Sequence, residues 1–191
     1  MTDSYLCPYC AVTVDAFDAL KTHVIAEHST EPLPLPDGVI QLTINKQAYQ
    51  LYVEPEWTLH HVIHDRLGLT GTKTFCDRGA CGSCTVNIDS RPVLSCMTLA
   101  IECKGKTIET IEGISADHHP LIEAYVTQHA MQCGYCTPGF IVTGKALLDH
   151  NADPTEEEIK EALAGNLCRC GTYPQHPKAV LEAAQVLREG R

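Results

Sequence analysis

Cys76, Cys81 and Cys84 are spaced C-x4-C-x2-C, and Cys96 follows after eleven intervening residues. Four thiolates so spaced hold a plant-type 2Fe–2S centre, two irons bridged by two sulfides. Backbone that must pass close to inorganic sulfide uses glycine, which has no Cβ and reaches positive φ, and Gly79 and Gly82 stand inside this loop. A zinc site of four cysteines would ordinarily use paired C-x2-C knuckles instead. A second quartet is Cys133-x2-Cys136 with Cys168-x-Cys170. Taken alone it suits zinc as well as iron; beside the first quartet, a second 2Fe–2S centre is the better reading. A third group runs Cys7-x2-Cys10, twelve residues, His23-x4-His28, the two-cysteine, two-histidine spacing of a zinc finger. Cys103 has no ligand spacing and falls in an apolar run, so it is assigned to the core.

These side chains need elements to hold them. In residues 1–30, periodicity from Asp15 to Glu27 predicts a helix with His23 and His28 on adjacent turns. Val14 and Leu20 fall where a small ββα finger keeps its core, with Phe17 one turn from Leu20. So few residues cannot fold on apolar burial alone, so metal would supply the folding energy. Residues 31–37 alternate proline with leucine, a polyproline linker. Residues 38–115 read as a ferredoxin-like domain: a hairpin turning at Asn45-Lys46-Gln47, a helix over 59–67 capped by Thr58 and ended by Gly68, the cluster loop, a second hairpin turning at Asp89-Ser90-Arg91, and a last strand over 106–111 closed by Gly113. His60 and His64 share a face, and without cysteine or carboxylate partners nearby His60, His61 and His64 read as solvated surface. Residues 116–191 read as four helices, over 120–131, 138–148, 155–163 and 177–187, a bundle. Thr155 and Glu158 form a capping box there, and Pro138 takes a first-turn position. Each cysteine pair of the second quartet precedes a helix, where free amides and the macrodipole favour thiolate charge. The fold class is therefore α+β: a β-grasp ferredoxin domain, then a four-helix domain, with a finger-like segment in front.

Composition narrows the function. With 14 basic and 24 acidic residues the 191-residue chain carries a net charge of −10, the reverse of a nucleic-acid footprint. The finger has Lys21 against Asp3, Asp15, Asp18 and Glu27, so a docking or structural role suits it better than reading DNA. No apolar run is long enough for a membrane span, and no positively charged n-region opens the chain. Eleven cysteines without a signal sequence argue for metal and redox use in the cytoplasm.

Cys-x4-Cys-Gly-Ser-Cys-Thr at 76–85, Gln-Cys-Gly-Tyr-Cys-Thr-Pro-Gly at 132–139 and Gly-Asn-Leu-Cys-Arg-Cys at 165–170 resemble the small iron–sulfur subunit of the xanthine oxidase family of molybdenum hydroxylases. The resemblance implies one 2Fe–2S cluster on Cys76, Cys81, Cys84 and Cys96 and another on Cys133, Cys136, Cys168 and Cys170. It implies a large partner subunit with molybdopterin, commonly the cytosine dinucleotide form, contacted by positions matching Gln132 and Cys170. It further implies electrons passing from molybdenum through both clusters, the helical-domain one first, to an FAD-binding subunit or another acceptor such as a cytochrome. No substrate-converting site belongs to this chain on that reading. The run Gly171-Thr172-Tyr173-Pro174 departs from the commoner Thr-Gly-Tyr and resembles a branch with isoquinoline oxidoreductase-like members, some working without flavin. Residues 1–37 have no counterpart in the family pattern. Two rival readings are a free ferredoxin-like carrier, which would purify alone, and a redox sensor whose finger binds nucleic acid, which the finger's acidity opposes.

Overall fold

The computed structural model of the protein describes residues 4–28 and 36–190. By its contacts the chain divides into two compact units, residues 1–39 and 40–191. Most of the proline-rich segment expected at 31–37 lies outside the described residues.

The first unit is a ββα element. Strands β1 (Tyr5–Leu6) and β2 (Thr13–Val14) pair antiparallel, and helix α1 (Phe17–His28) follows. None of the α1 side chains is buried. Val14 and Leu20 are only half-buried, and Phe17 is 63% exposed, touching the edge of Tyr5. The core expected at Val14 and Leu20 is thus only partly enclosed: the unit is too small to cover it, and among its described residues Cys7 alone is buried.

The second unit opens with β3 (Val39–Ile44) and β4 (Gln47–Tyr52), joined by Asn45 and Lys46, both at positive φ, as a two-residue primed turn requires. Thr58 accepts the His61 amide and starts α2 (Leu59–His61), which widens into a π turn over Val62–Arg66. That turn replaces the plain helix expected to Leu67. His60, expected at the surface, is 8% exposed and faces the Thr72 carbonyl and Thr74 hydroxyl. His61 and His64 stay near the surface, but contrary to expectation each has a carboxylate partner, Asp65, which lies one residue after His64 and one helical turn after His61.

Strands β5 (Thr85–Ile88) and β6 (Arg91–Leu94) pair antiparallel around Asp89 and Ser90, one residue tighter than expected. Single 3-10 turns at Ser95–Met97 and Ala100–Cys103 carry the chain to β7 (Thr107–Glu109). The sheet order is β4-β3-β7-β5-β6, with β7 parallel to β3 and antiparallel to β5. One sheet face packs on α2 through Ile40, Ile44, Leu59, Ile63 and Ile108. Cys103 is 2% exposed in this core, and burial pushes its thiol up to about 11.

Helices α3 (Ile111–Ala116), α4 (Pro120–Thr127), α5 (Thr137–His150), α6 (Glu156–Leu163) and α7 (Gln175–Glu189) complete the unit. The short α3 stands where a strand end and a terminating Gly113 were expected. Gly113 is needed inside the helix because a Cβ there would meet Asn45 Oδ1 at 2.4 Å. That oxygen accepts the Thr110 amide while Asn45 Nδ2 donates to the Thr110 hydroxyl. Helix α4 ends at Thr127 rather than 131. The capping box at Thr155 and Glu158 forms as expected. Leu121, Tyr125, Phe140, Ile159 and Val180 make a second apolar core. Helix α5 buries more side chains than any other described helix, because β5 and β6 pack on it as well as its fellow helices.

Candidate iron-sulfur and metal centres

The loop between the π turn and β5 carries Cys76, Cys81 and Cys84, and the 3-10 turn after β6 carries Cys96. Their thiols act on one another two and two, the Cys81 side chain on Cys76 and the Cys84 side chain on Cys96. The Arg78 amide, joined by those of Ala80 and Cys81, holds the Cys76 thiol down at about 7; the Ala80 amide is 3.2 Å from Cys76 Sγ. Burial pushes Cys96 up to about 11.

The other quartet sorts in the same way. Cys133 pairs with Cys170 and Cys136 with Cys168. The Tyr135 amide leads the donors that lower Cys133, whereas burial pushes Cys136 up to about 12. Burial also opposes ionisation of Cys168, but the Thr172 hydroxyl and amide outweigh it and bring that thiol to about 7. Two thiols per pair and two pairs per quartet fit a dinuclear centre with two thiolates on each iron. Amides aimed at sulfur are the donors such a cluster takes.

The two loops interlock. The Leu167 amide, next to Cys168, donates to the Cys81 carbonyl at 2.9 Å. Asn166 is 4% exposed; its Nδ2 donates to the Gly82 carbonyl at 3.0 Å, and the Thr143 hydroxyl reaches its Oδ1. The Tyr135 hydroxyl, between Cys133 and Cys136, donates to the Thr74 carbonyl at 2.5 Å. Gly82, at φ 73, sits where a Cβ would fall 2.6 Å from the Gly165 carbonyl. Each quartet is therefore within a few bonds of the other. Sequence reasoning did not single out Asn166, Leu167, Thr172 or Tyr135 as contacts. Their places inside the two cysteine motifs were the available signal.

In the first unit Cys7, Cys10, His23 and His28 each offer one ligand atom, and these atoms lie within 4.8 Å of one another. Cys10 Sγ is 3.3 Å from His23 Nε2. Burial raises Cys7, but the amides of Tyr9 and Cys10 and the Cys10 side chain lower it further, the direction a thiolate ligand needs.

Two family models match the second unit. A 2Fe-2S iron-sulfur cluster binding domain covers residues 42–108, and a [2Fe-2S] binding domain covers residues 110–181. The nicotinate dehydrogenase small FeS subunit of Eubacterium barkeri is 44% identical over 148 residues, which are 76% of this chain and 94% of that one. The chain belongs to the small 2Fe-2S subunits of the xanthine oxidase family of molybdenum hydroxylases. This small subunit works in electron transfer within a molybdenum-dependent oxidoreductase. Quinoline 2-oxidoreductase from Pseudomonas putida 86 superposes with a TM-score of 0.75 at 40% identity, covering 80% of the small subunit and 96% of that chain. Aldehyde oxidoreductase from Desulfovibrio gigas gives 0.76 at 39% identity, with 80% of the small subunit covering 17% of that longer chain. No helix among the described residues is long and apolar enough to cross a membrane.

Proposed function

We propose that Cys76, Cys81, Cys84 and Cys96 hold one 2Fe–2S cluster and Cys133, Cys136, Cys168 and Cys170 the other. The chain then passes single electrons from a large molybdopterin-bearing partner subunit to an FAD-binding subunit or a cytochrome. The sorting of eight thiols into two pairs per quartet carries this reading. When bound, each cluster takes up and gives back one electron, and substrate chemistry stays on the partner. The chain's own work is to supply thiolates, aim amide donors at them and exclude water by apolar packing. Relatives at about this identity are named for nicotinate, quinoline and aldehyde substrates, which supports placing substrate choice on the partner.

The exposed end of the helical quartet suits the molybdenum side. Cys133 and Gln132 are exposed and Cys170 is half-buried, so Gln132 and Cys170 are the proposed contacts to the pterin, taken here as its cytosine dinucleotide form. The division of labour follows the domain boundaries read from sequence, with a ferredoxin-like part over 38–115 and a helical part over 116–191. With all eleven cysteines free, a reducing cytoplasm is the proposed compartment.

A Zn2+ ion on Cys7, Cys10, His23 and His28 completes the reading, supported by the closeness of the four ligand atoms. Metal analysis of the purified complex tests both parts together. We expect about four irons and one zinc per small subunit, with two distinct 2Fe–2S signals in the paramagnetic spectrum of the reduced protein. One signal or none overturns the cluster assignment. Full iron without zinc overturns the finger alone.

A further inference from the structure

His176 and Thr172 are buried polar side chains that electron transfer does not by itself explain. His176 lies in the first turn of α7, is 1% exposed, and stacks on Phe140 with ring centroids 3.9 Å apart. Tyr125 and Tyr173 close on it at 5.6 and 6.2 Å. Burial alone holds its pKa down at about 4, so the ring is neutral near pH 7. Its Nε2 is 3.2 Å from the Thr172 hydroxyl, and that hydroxyl is 3.2 Å from Cys168 Sγ. Its Nδ1 is buried with no hydrogen-bond partner.

The tautomer follows from counting bonds. A neutral imidazole carries one N–H. With the proton on Nδ1, that donor is buried unpaired, Nε2 takes the Thr172 hydrogen, and the chain of three groups contains one hydrogen bond. With the proton on Nε2, His176 donates to the Thr172 oxygen, and the Thr172 hydrogen turns to Cys168 Sγ. That arrangement contains two bonds, and the second is charge-assisted when the sulfur is a thiolate, about twice the strength of a neutral one. One ring nitrogen is bare either way, so the extra bond decides.

We propose that His176 acts as a positioning residue: its Nε2–H aligns and polarises the Thr172 hydroxyl, which donates to Cys168 and raises the reduction potential of the helical-domain cluster. The sign follows because a donor to sulfur stabilises the reduced, more negative cluster. Polarisation along a buried chain strengthens each link, so the histidine acts through the hydroxyl and not by its own charge. The inference rests on the assignment of Cys168 as a cluster ligand.

Redox titration of the assembled complex, followed by the two paramagnetic signals, tests it. Thr172→Val removes the donor at nearly constant volume and is expected to shift the helical-domain midpoint to lower potential while the ferredoxin-domain midpoint stays put. Thr172→Ser keeps the hydroxyl and is expected to keep the potential. His176→Phe preserves the stacking and is expected to give a smaller downward shift that vanishes in the Thr172→Val background. A histidine acting as mere packing or as a distant dipole would instead give additive shifts. An unmoved potential in Thr172→Val, or an undiminished His176→Phe shift in the double variant, overturns the proposal. Should Thr172→Val fail to fold, the Thr172→Ser and His176→Phe potentials still decide: an unchanged potential in His176→Phe, or a Thr172→Ser shift as large as that of His176→Phe, overturns it. Absence of the second signal from the unaltered protein would instead overturn the ligand assignment itself.

Discussion

The first and second units gather their cysteines by opposite means. In residues 4–28, Leu6, Phe17 and Ile25 are each at least 60% exposed, and α1 buries nothing. Only convergence of Cys7, Cys10, His23 and His28 gives that unit an interior. In the second unit two apolar cores stand behind the cysteines: Ile44, Leu59, Ile63 and Ile108 under the sheet, and Leu121, Tyr125, Phe140 and Val180 among the helices are all at most 1% exposed. The difference teaches that a metal ligand set can be either the cause of a fold or its cargo. Below a few dozen residues there is too little buried surface for the second arrangement.

Four experiments bear on that contrast. The largest effect is expected in the first unit if the proposed zinc site is its folding nucleus, since metal binding and folding are one equilibrium in small zinc peptides, with apparent affinities worth roughly 10–16 kcal/mol. Cys7→Ser is expected to abolish protease protection and amide protection across residues 4–28 while leaving iron content unchanged; loss of iron along with it would merge the two units. Next comes Phe140→Ala, which empties a site at 1% exposure and is expected to cost about 3–5 kcal/mol. The melting midpoint of the second unit should fall, and zinc retention by the first should not; an unchanged midpoint would mean the helical core carries less than its burial implies.

A smaller effect depends on pH. The folded pKa of His176 is held down at about 4, below an unfolded value of about 6.5. Protons therefore bind the unfolded chain preferentially. The contribution of burying neutral His176 is complete above about pH 6.5, is lost as pH falls towards 4, and amounts to about 3 kcal/mol at most. Denaturation of the unaltered protein and of His176→Phe between pH 7 and 4 should give slopes that differ in this direction; parallel slopes would remove His176 from the account of acid sensitivity. The smallest expected effect is Thr155→Ala, which deletes the capping box of α6 and should cost about 1 kcal/mol in the second unit alone, read as a small drop in its denaturation midpoint.

Legibility in the sequence followed the range of the interaction. The capping box at Thr155, the Thr58 cap and the turns at Asn45-Lys46 and Asp89-Ser90 were all readable because each is settled within a few residues. His60 was misread because its partners, Thr72 and Thr74, reach it only after the cluster loop folds back. The core expected at Val14 and Leu20 proved only half covered, since periodicity marks an apolar face without saying whether anything covers it. Gly113 looked like a stop, yet it is a place where Asn45 comes too close for a side chain.

From the order of residues alone came the family and the three proposed ligand groups, since a loop around a metal constrains spacing between covalent neighbours. Three-dimensional packing alone decided which thiol faces which, and that Leu167 and Asn166 bind the loop of Cys81 and Gly82. Contacts across more than eighty residues are chosen by how two cores pack against each other, and no local spacing records that choice.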